Sequence, residues 1–182
     1  YGDYMKTTVF KIILISEAIL LMSFFCSCNS KDKIQLEKEK TEEVAISIIN
    51  IIENNNREEL KNRFTDKAIQ TQDFDLGLEY IFNCYSGKCE NIIDSGTHIR
   101  DLFDNGKQTK TALAYFDITT ADSEFLLYFE YYLKDEINHN TSKISTLKLV
   151  RKADVSDDYN YGNYYDRIGI YNPKWDLNLQ NY

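Results

Sequence analysis

One proline, seven glycines, two histidines and a single tryptophan are all that 182 residues contain of these types. Each shortage excludes something. With so little proline the chain is no polyproline spacer or Pro-rich wall segment. Its glycines form neither a phosphate-binding loop nor a G-x-S-x-G elbow, and Gly96 and Gly106 read as turn residues. His98 and His139 have no partner at ligand spacing, so no metal centre and no cofactor are expected. Positive charge is also short: 21 Lys and Arg face 29 Asp and Glu, a net charge of −8. That balance excludes the basic patches on which nucleic-acid binding depends. The longest apolar run, residues 12–25, is interrupted by Glu17 and falls short of the roughly 20 residues of a membrane-crossing helix. What is plentiful is aromatic: 14 tyrosines and 10 phenylalanines, the material of a folded core rather than of a disordered segment.

The segment from Met5 to Cys28 reads MKTTVFKIILISEAILLMSFFCSC. A basic start at Lys6 and Lys11, an apolar stretch and a terminal cysteine have the order of a secretory signal. Ser27 directly before Cys28 resembles a bacterial lipobox. The resemblance implies cleavage after residue 27 and lipidation of Cys28, which would hold the protein on the extracytoplasmic face of the cell membrane. Cys26 is a poorer acceptor, because Phe25 precedes it. An uncleaved anchor and soluble secretion are the alternatives, and translation is expected to begin at Met5. The expected organisation is a signal peptide over 1–27, a lipidated polar tether over 28–40, one α+β domain over 41–152, and an aromatic tail over 153–182 packed on that domain. Cys84 and Cys89 are the cysteines that remain; an export route permits a disulfide between them, and two unpaired buried thiols are the simpler expectation.

From Thr41 the apolar residues Val44, Ala45, Ile48, Ile51 and Ile52 recur at helical spacing, with Ile46 and Ile49 broadening the apolar face. Asn54 to Asn56 stop this helix, and Asn56 with Glu59 predicts the N-cap of a second one running through Phe64. Asp73 predicts the start of a third, ending near Gly87. Beyond Gly87 the period becomes two. Strands are predicted over 88–100, with Ile93, Thr97 and Ile99 on one side, over 111–119, over 125–133 and over 144–151, with Asp104-Asn105-Gly106 as a tight turn. The second strand places Ala112, Ala114, Phe116 and Ile118 on one face, and the third places Phe125, Leu127, Phe129, Tyr131 and Leu133. Glu124 and Glu130, of opposite parity, are expected at the surface. Helices followed by consecutive antiparallel strands describe an α+β domain with helices packed on one sheet face.

Three stretches carry a family likeness: Glu58-Glu59-Leu60-Lys61 leading to Phe64, Tyr85-Ser86-Gly87-Lys88, and Ile168-Gly169-Ile170-Tyr171-Asn172-Pro173. With the element order they resemble a family of bacterial lipoproteins of the nuclear-transport-factor-2-like superfamily. That resemblance implies a cone, a strongly curved antiparallel sheet wrapped around helices, with room for a cavity. The superfamily holds isomerase-like and dehydratase enzymes beside many non-enzymatic binding domains, so it implies a shape rather than a reaction.

An isomerase of that shape needs a carboxylate or His base and a hydroxyl that holds the developing oxyanion. Asp117 is the leading candidate base, lying between Phe116 and Ile118, with Tyr115 as donor on the same side and His98 as a further candidate. Asp94, Tyr128 and Tyr132 are weaker candidates. Alternation turns Phe116 and Ile118 inward and Asp117 outward, so a structural role is the expectation and no catalytic residue is assigned. The tail tyrosines Tyr159, Tyr161, Tyr164, Tyr165 and Tyr171 with Trp175 suit either packing or stacking on sugars. The function expected is ligand binding or interaction without catalysis, with an unknown small molecule or protein as partner besides the bilayer. The alternatives are an isomerase, dehydratase or hydrolase using the cavity, and a wall- or glycan-contacting protein.

Overall fold

A computed structural model describes residues 32–155 and 168–171. The leader, Cys28 and the aromatic residues Tyr159, Tyr161, Tyr164, Tyr165 and Trp175 lie outside the described residues. The chain divides into two compact units, one up to Lys40 and one from Thr41 onward. Helix α1 occupies residues 32–53, so helix already runs through the charged stretch KIQLEKEK, whose Lys, Gln, Leu and Glu are all good helix formers. Ile34 and Leu36 of that stretch are exposed.

From Thr41 on, α1 buries Ala45, Ile48, Ile49, Ile51 and Ile52, whereas Ile46 points to solvent. The helix is thus apolar on one broad face and not around its circumference. It stops because Asn55 adopts a left-handed conformation (φ 52°), and the Asn56 amide then bonds back to the Ile51 carbonyl at 3.1 Å. Asn56 caps α2 (Arg57–Asn62), its side chain accepting from the Glu59 amide. That helix ends two residues short of Phe64, because residues 63–65 bond instead to the start of the fourth strand: the Ile144 amide donates to the Arg63 carbonyl and the Thr65 amide to the Ile144 carbonyl. Thr65 then caps a one-turn helix, α3 (Asp66–Ile69), too short to show a period in the sequence. In α4 (Phe74–Cys84) Phe74, Gly77, Leu78, Ile81 and Cys84 are buried, one apolar stripe at helical spacing.

The sheet follows as β1 (Cys89–Asp104), β2 (Lys107–Thr120), β3 (Glu124–Asp135) and β4 (Ile144–Arg151), an antiparallel meander. The β1–β2 turn is Asn105-Gly106, with φ of 50° and 79°, the left-handed pair that a two-residue hairpin requires. Two expectations need correction. The sheet is mixed rather than purely antiparallel, because β5 (Gly169–Ile170) lies parallel to β4; a two-residue strand is too short to leave a period. And Ile93 does not share a face with Thr97 and Ile99. An extra residue between Asp94 and Gly96 shifts the register, so Ile92 faces the core and Ile93 is 53% exposed. The Asp94 carboxylate holds this bulge by accepting from the Gly96 amide and the Thr97 hydroxyl. Bulges also interrupt the β2–β3 pairing, at Leu133 opposite Lys110 and Thr111, and the β3–β4 pairing, at Ser145 opposite Glu130 and Tyr131, and they accompany the curvature of the sheet.

The core lies between the helices and one sheet face. Ala114, Phe116, Ile118, Phe125, Leu127 and Phe129 are fully buried there, and the Phe116 and Phe129 rings stack at 5.9 Å. Phe64 meets Phe74 edge-on at 5.0 Å. Gly77 is where β5 docks on α4. A methyl group at this position would stand 2.6 Å from the Ile170 carbonyl oxygen, so only glycine lets the two backbones approach this closely.

Candidate functional site

The opposite face of the sheet holds the polar groups. Across its middle run Tyr115 of β2, Tyr128 of β3 and Lys148 of β4, which are directly opposite one another in the register. The row below is Leu113, Glu130 and Thr146, and the row above is Asp117, Leu126 and Val150. At β3 and β4 most of this face is buried: Tyr128 is 2% exposed and Lys148 6%. Leu126 and Val150 form a second apolar cluster there with Tyr171 and Val155. Glu130 is therefore not the surface residue that alternation expects. Its carboxylate accepts from the Tyr128 hydroxyl at 2.6 Å and from the Ser145 hydroxyl at 3.2 Å.

Burying a lysine is costly unless its charge is compensated. The Lys148 ammonium lies 5.4 Å from the centre of the Tyr128 ring and 5.9 Å from that of Tyr171, two negative ring faces that stabilise the cation. Tyr115 packs on Tyr128 at 4.8 Å, and His98 meets the Tyr115 ring edge-on at 6.2 Å. Burial, reinforced by the Asp135 and Glu130 carboxylates, pushes the nearby Tyr132 hydroxyl above its ordinary pKa. A phenol held neutral in this way donates hydrogen bonds and does not act as a base.

Asp117 is on this outer face, half-buried, with its carboxylate engaged. It accepts from the Ser95 hydroxyl and pairs with the Lys152 ammonium at 2.9 Å; Lys152 also reaches Glu124 at 3.1 Å. The hydrogen bond to Asp117, ahead of the opposing burial and the further pull of Glu124, holds Lys152 above its ordinary pKa. The Asp117 carboxylate is committed to a lysine and a serine. The structure thus brings Asp117, Tyr115 and His98 onto one face. Asp94 is engaged in the bulge.

Sequence reasoning assigns Glu130 to the surface and passes over Ser145, Lys148 and Lys152. The signal that finds them is the unbroken apolar run Phe125-Leu126-Leu127-Tyr128-Phe129, which marks a strand covered on both faces. Lys148 stands inside a similar run, Leu147 to Val150.

At the α4–β1 junction, Glu53 accepts from the Tyr85 hydroxyl at 3.0 Å and from the Cys89 amide at 2.5 Å. Cys84 and Cys89 are both free thiols. Burial and the neighbouring Glu53 push the Cys89 thiol up, away from the thiolate that a nucleophile or metal ligand needs. Among the described residues no group of three or more His, Cys, Asp or Glu could hold a metal ion, and no helix is long and apolar enough to cross a membrane. A groove of about 270 Å³ runs beside α1, lined by Glu43, Ile46, Ser47, Asn50, Ile51, Asn54 and Glu59.

Helices packed on a curved mixed sheet, with a second apolar and polar layer on the outer face, define the class as an α+β domain. Residues 47–152 match the model of the family described as a domain of unknown function, DUF5104. The chain belongs to that family. No curated protein matches the chain, and no solved structure does.

Proposed function

We propose that the protein is an extracytoplasmic lipoprotein, acylated at Cys28, whose domain is a nuclear-transport-factor-2-like cone that binds a ligand or partner without catalysis. What supports the non-catalytic reading, among the described residues, is the packing between the helices and the sheet face turned toward them. Where an enzyme of this shape keeps its cavity, the sheet presents Phe116, Ile118, Phe125, Leu127 and Phe129, all fully buried against the helices. Among the described residues, a space beside that core lined by Val44, Ser47, Ile48, Arg63, Tyr131, Ser142 and Ile144 measures about 10 Å³, room for one water molecule at most. The candidate base, Asp117, is on the other side of the sheet and tied to Lys152.

The anchor rests on the leader from Met5 to Cys28 and the cone on the element order. The anchor is tested in cells. Cys28→Ala is expected to release the protein from the membrane fraction or leave an unprocessed precursor, whereas Cys26→Ala changes neither location nor mass. A Cys28→Ala protein of unaltered mass that still sediments with membranes would remove the lipoprotein reading.

A further inference from the structure

The end of the β1–β2 hairpin is an exposed edge with apolar side chains on both faces. β1 is a terminal strand of the sheet, pairing with β2 alone among the described strands, and its 16 residues make it the longest of the five. Leu102 is 57% exposed and Phe103 72%. Natural edges are blunted by charge, especially lysine, by proline, bulges or brevity; between Thr97 and Asp104 β1 has no lysine or proline, and its charges, Arg100, Asp101 and Asp104, are of both signs. Its bulges come earlier, between Cys89 and Asn91 and between Asp94 and Gly96, and leave residues 97–104 in regular register with β2.

We propose that this edge pairs with the same edge of a second copy, antiparallel about a two-fold axis at Leu102. Face parity and hydrogen-bond phase allow that register and charge favours it, since centring on Phe103 forms no ion pair. Continuing one sheet through a perpendicular two-fold requires paired residues to share a face, so their numbers sum to an even value. Centring on Arg100 or Asp101 opposes like charges; centring on Leu102 sets Leu102 against itself and Arg100 against Asp104 twice. Arg100 and Asp104 both lie on the Leu102 face, exposed, and neither has an ion-pair partner among the described residues. The hydrogen-bond phase agrees as well. The two-residue turn makes Asp104 and Lys107 the closing pair of the hairpin, so alternation turns the main-chain groups of Phe103 toward the open edge and Leu102 becomes the closely spaced, non-hydrogen-bonded centre.

The result is a ten-stranded sheet held by a short edge, two cross-strand ion pairs and a leucine contact. An edge of this length is well below a standard interface, so the dimer is reversible. The inference goes beyond the proposed function and does not depend on acylation of Cys28, because the test is run on whole cells making the full chain. In a closely spaced pair the Cα atoms are about 4.5 Å apart, within the roughly 4.4–6.8 Å that a disulfide spans. Leu102→Cys is therefore expected to give a disulfide-linked species of twice the chain mass on mild oxidation, and Lys107→Cys, at the turn, is not. Adding Arg100→Asp should lower that dimer by about tenfold through opposed like charges, and adding Asp104→Arg to that variant should restore it. The restored swap separates loss of pairing from loss of folding. Equal crosslinking at Lys107, no dimer at Leu102, insensitivity to Arg100→Asp, failure of the swap, or a mixed disulfide with a different protein would each overturn the proposal.

Discussion

On β3 and β4 both faces are largely buried, by different chemistry. Toward the helices β3 presents Phe125, Leu127 and Phe129, hydrocarbon packed against hydrocarbon. On the other side it presents Leu126, Tyr128 and Glu130, where each polar atom needs a partner and has one: tyrosine on glutamate, serine on glutamate, lysine over two rings. The first face is tolerant of chemistry and strict about volume. The second is strict about chemistry, since a buried donor stripped of its acceptor loses the bond and its hydration together.

The largest effect is expected where volume decides. Phe129→Ala removes a ring stacked on Phe116 from a fully buried site and should cost about 3–5 kcal/mol in denaturant unfolding. A loss below about 1 kcal/mol would mean that the helix face relaxes around the cavity, and the contrast between the faces would fail.

The outer face supplies the next test. Glu130→Ala leaves the Tyr128 and Ser145 hydroxyls without their acceptor and should cost about 1–3 kcal/mol. Glu124→Ala, an exposed change on the same strand, should cost about 0.5 kcal/mol. Equal losses would show that Glu130 behaves as the surface residue that alternation alone assigns.

That misassignment marks how far the sequence is legible. Alternation places Ala112, Ala114, Phe116 and Ile118 on the buried face as the structure has them, and Asn105-Gly106 marks its turn. These signals are local: a two-residue period and a φ preference belong to the segment that shows them. What stays hidden depends on partners distant in the chain. The reversal of Ile93 depends on one carboxylate holding a bulge. The short strand β5 is admitted because Gly77, some ninety residues earlier, has no side chain. The covered outer face is visible only in the unbroken apolar run, which alternation invites one to read as a single stripe. Of the candidate site, the positions of Asp117 and Tyr115 on one face follow from parity, whereas the lysine that neutralises Asp117 arrives from beyond the end of β4.

The smallest effect is expected at that ion pair, and it has a sign in pH. Lys152 is held above its ordinary pKa by Asp117 first and Glu124 after it, against burial. A raised folded-state pKa means that its contribution is complete below the unfolded-state value of about 10.4. The contribution is then lost as pH rises through the folded-state value. Asp117→Asn keeps an acceptor for Ser95 but removes the charge facing Lys152. Because both side chains are about a third exposed, the loss at neutral pH should be within about 1 kcal/mol. The stability of the variant should also fall less steeply above pH 10 than that of the unchanged chain. Membrane location and the Leu102→Cys crosslink should be unaltered. A larger loss at neutral pH, or identical alkaline profiles, would place Asp117 among the strict polar contacts of Tyr128 and Glu130 rather than at the rim of that face.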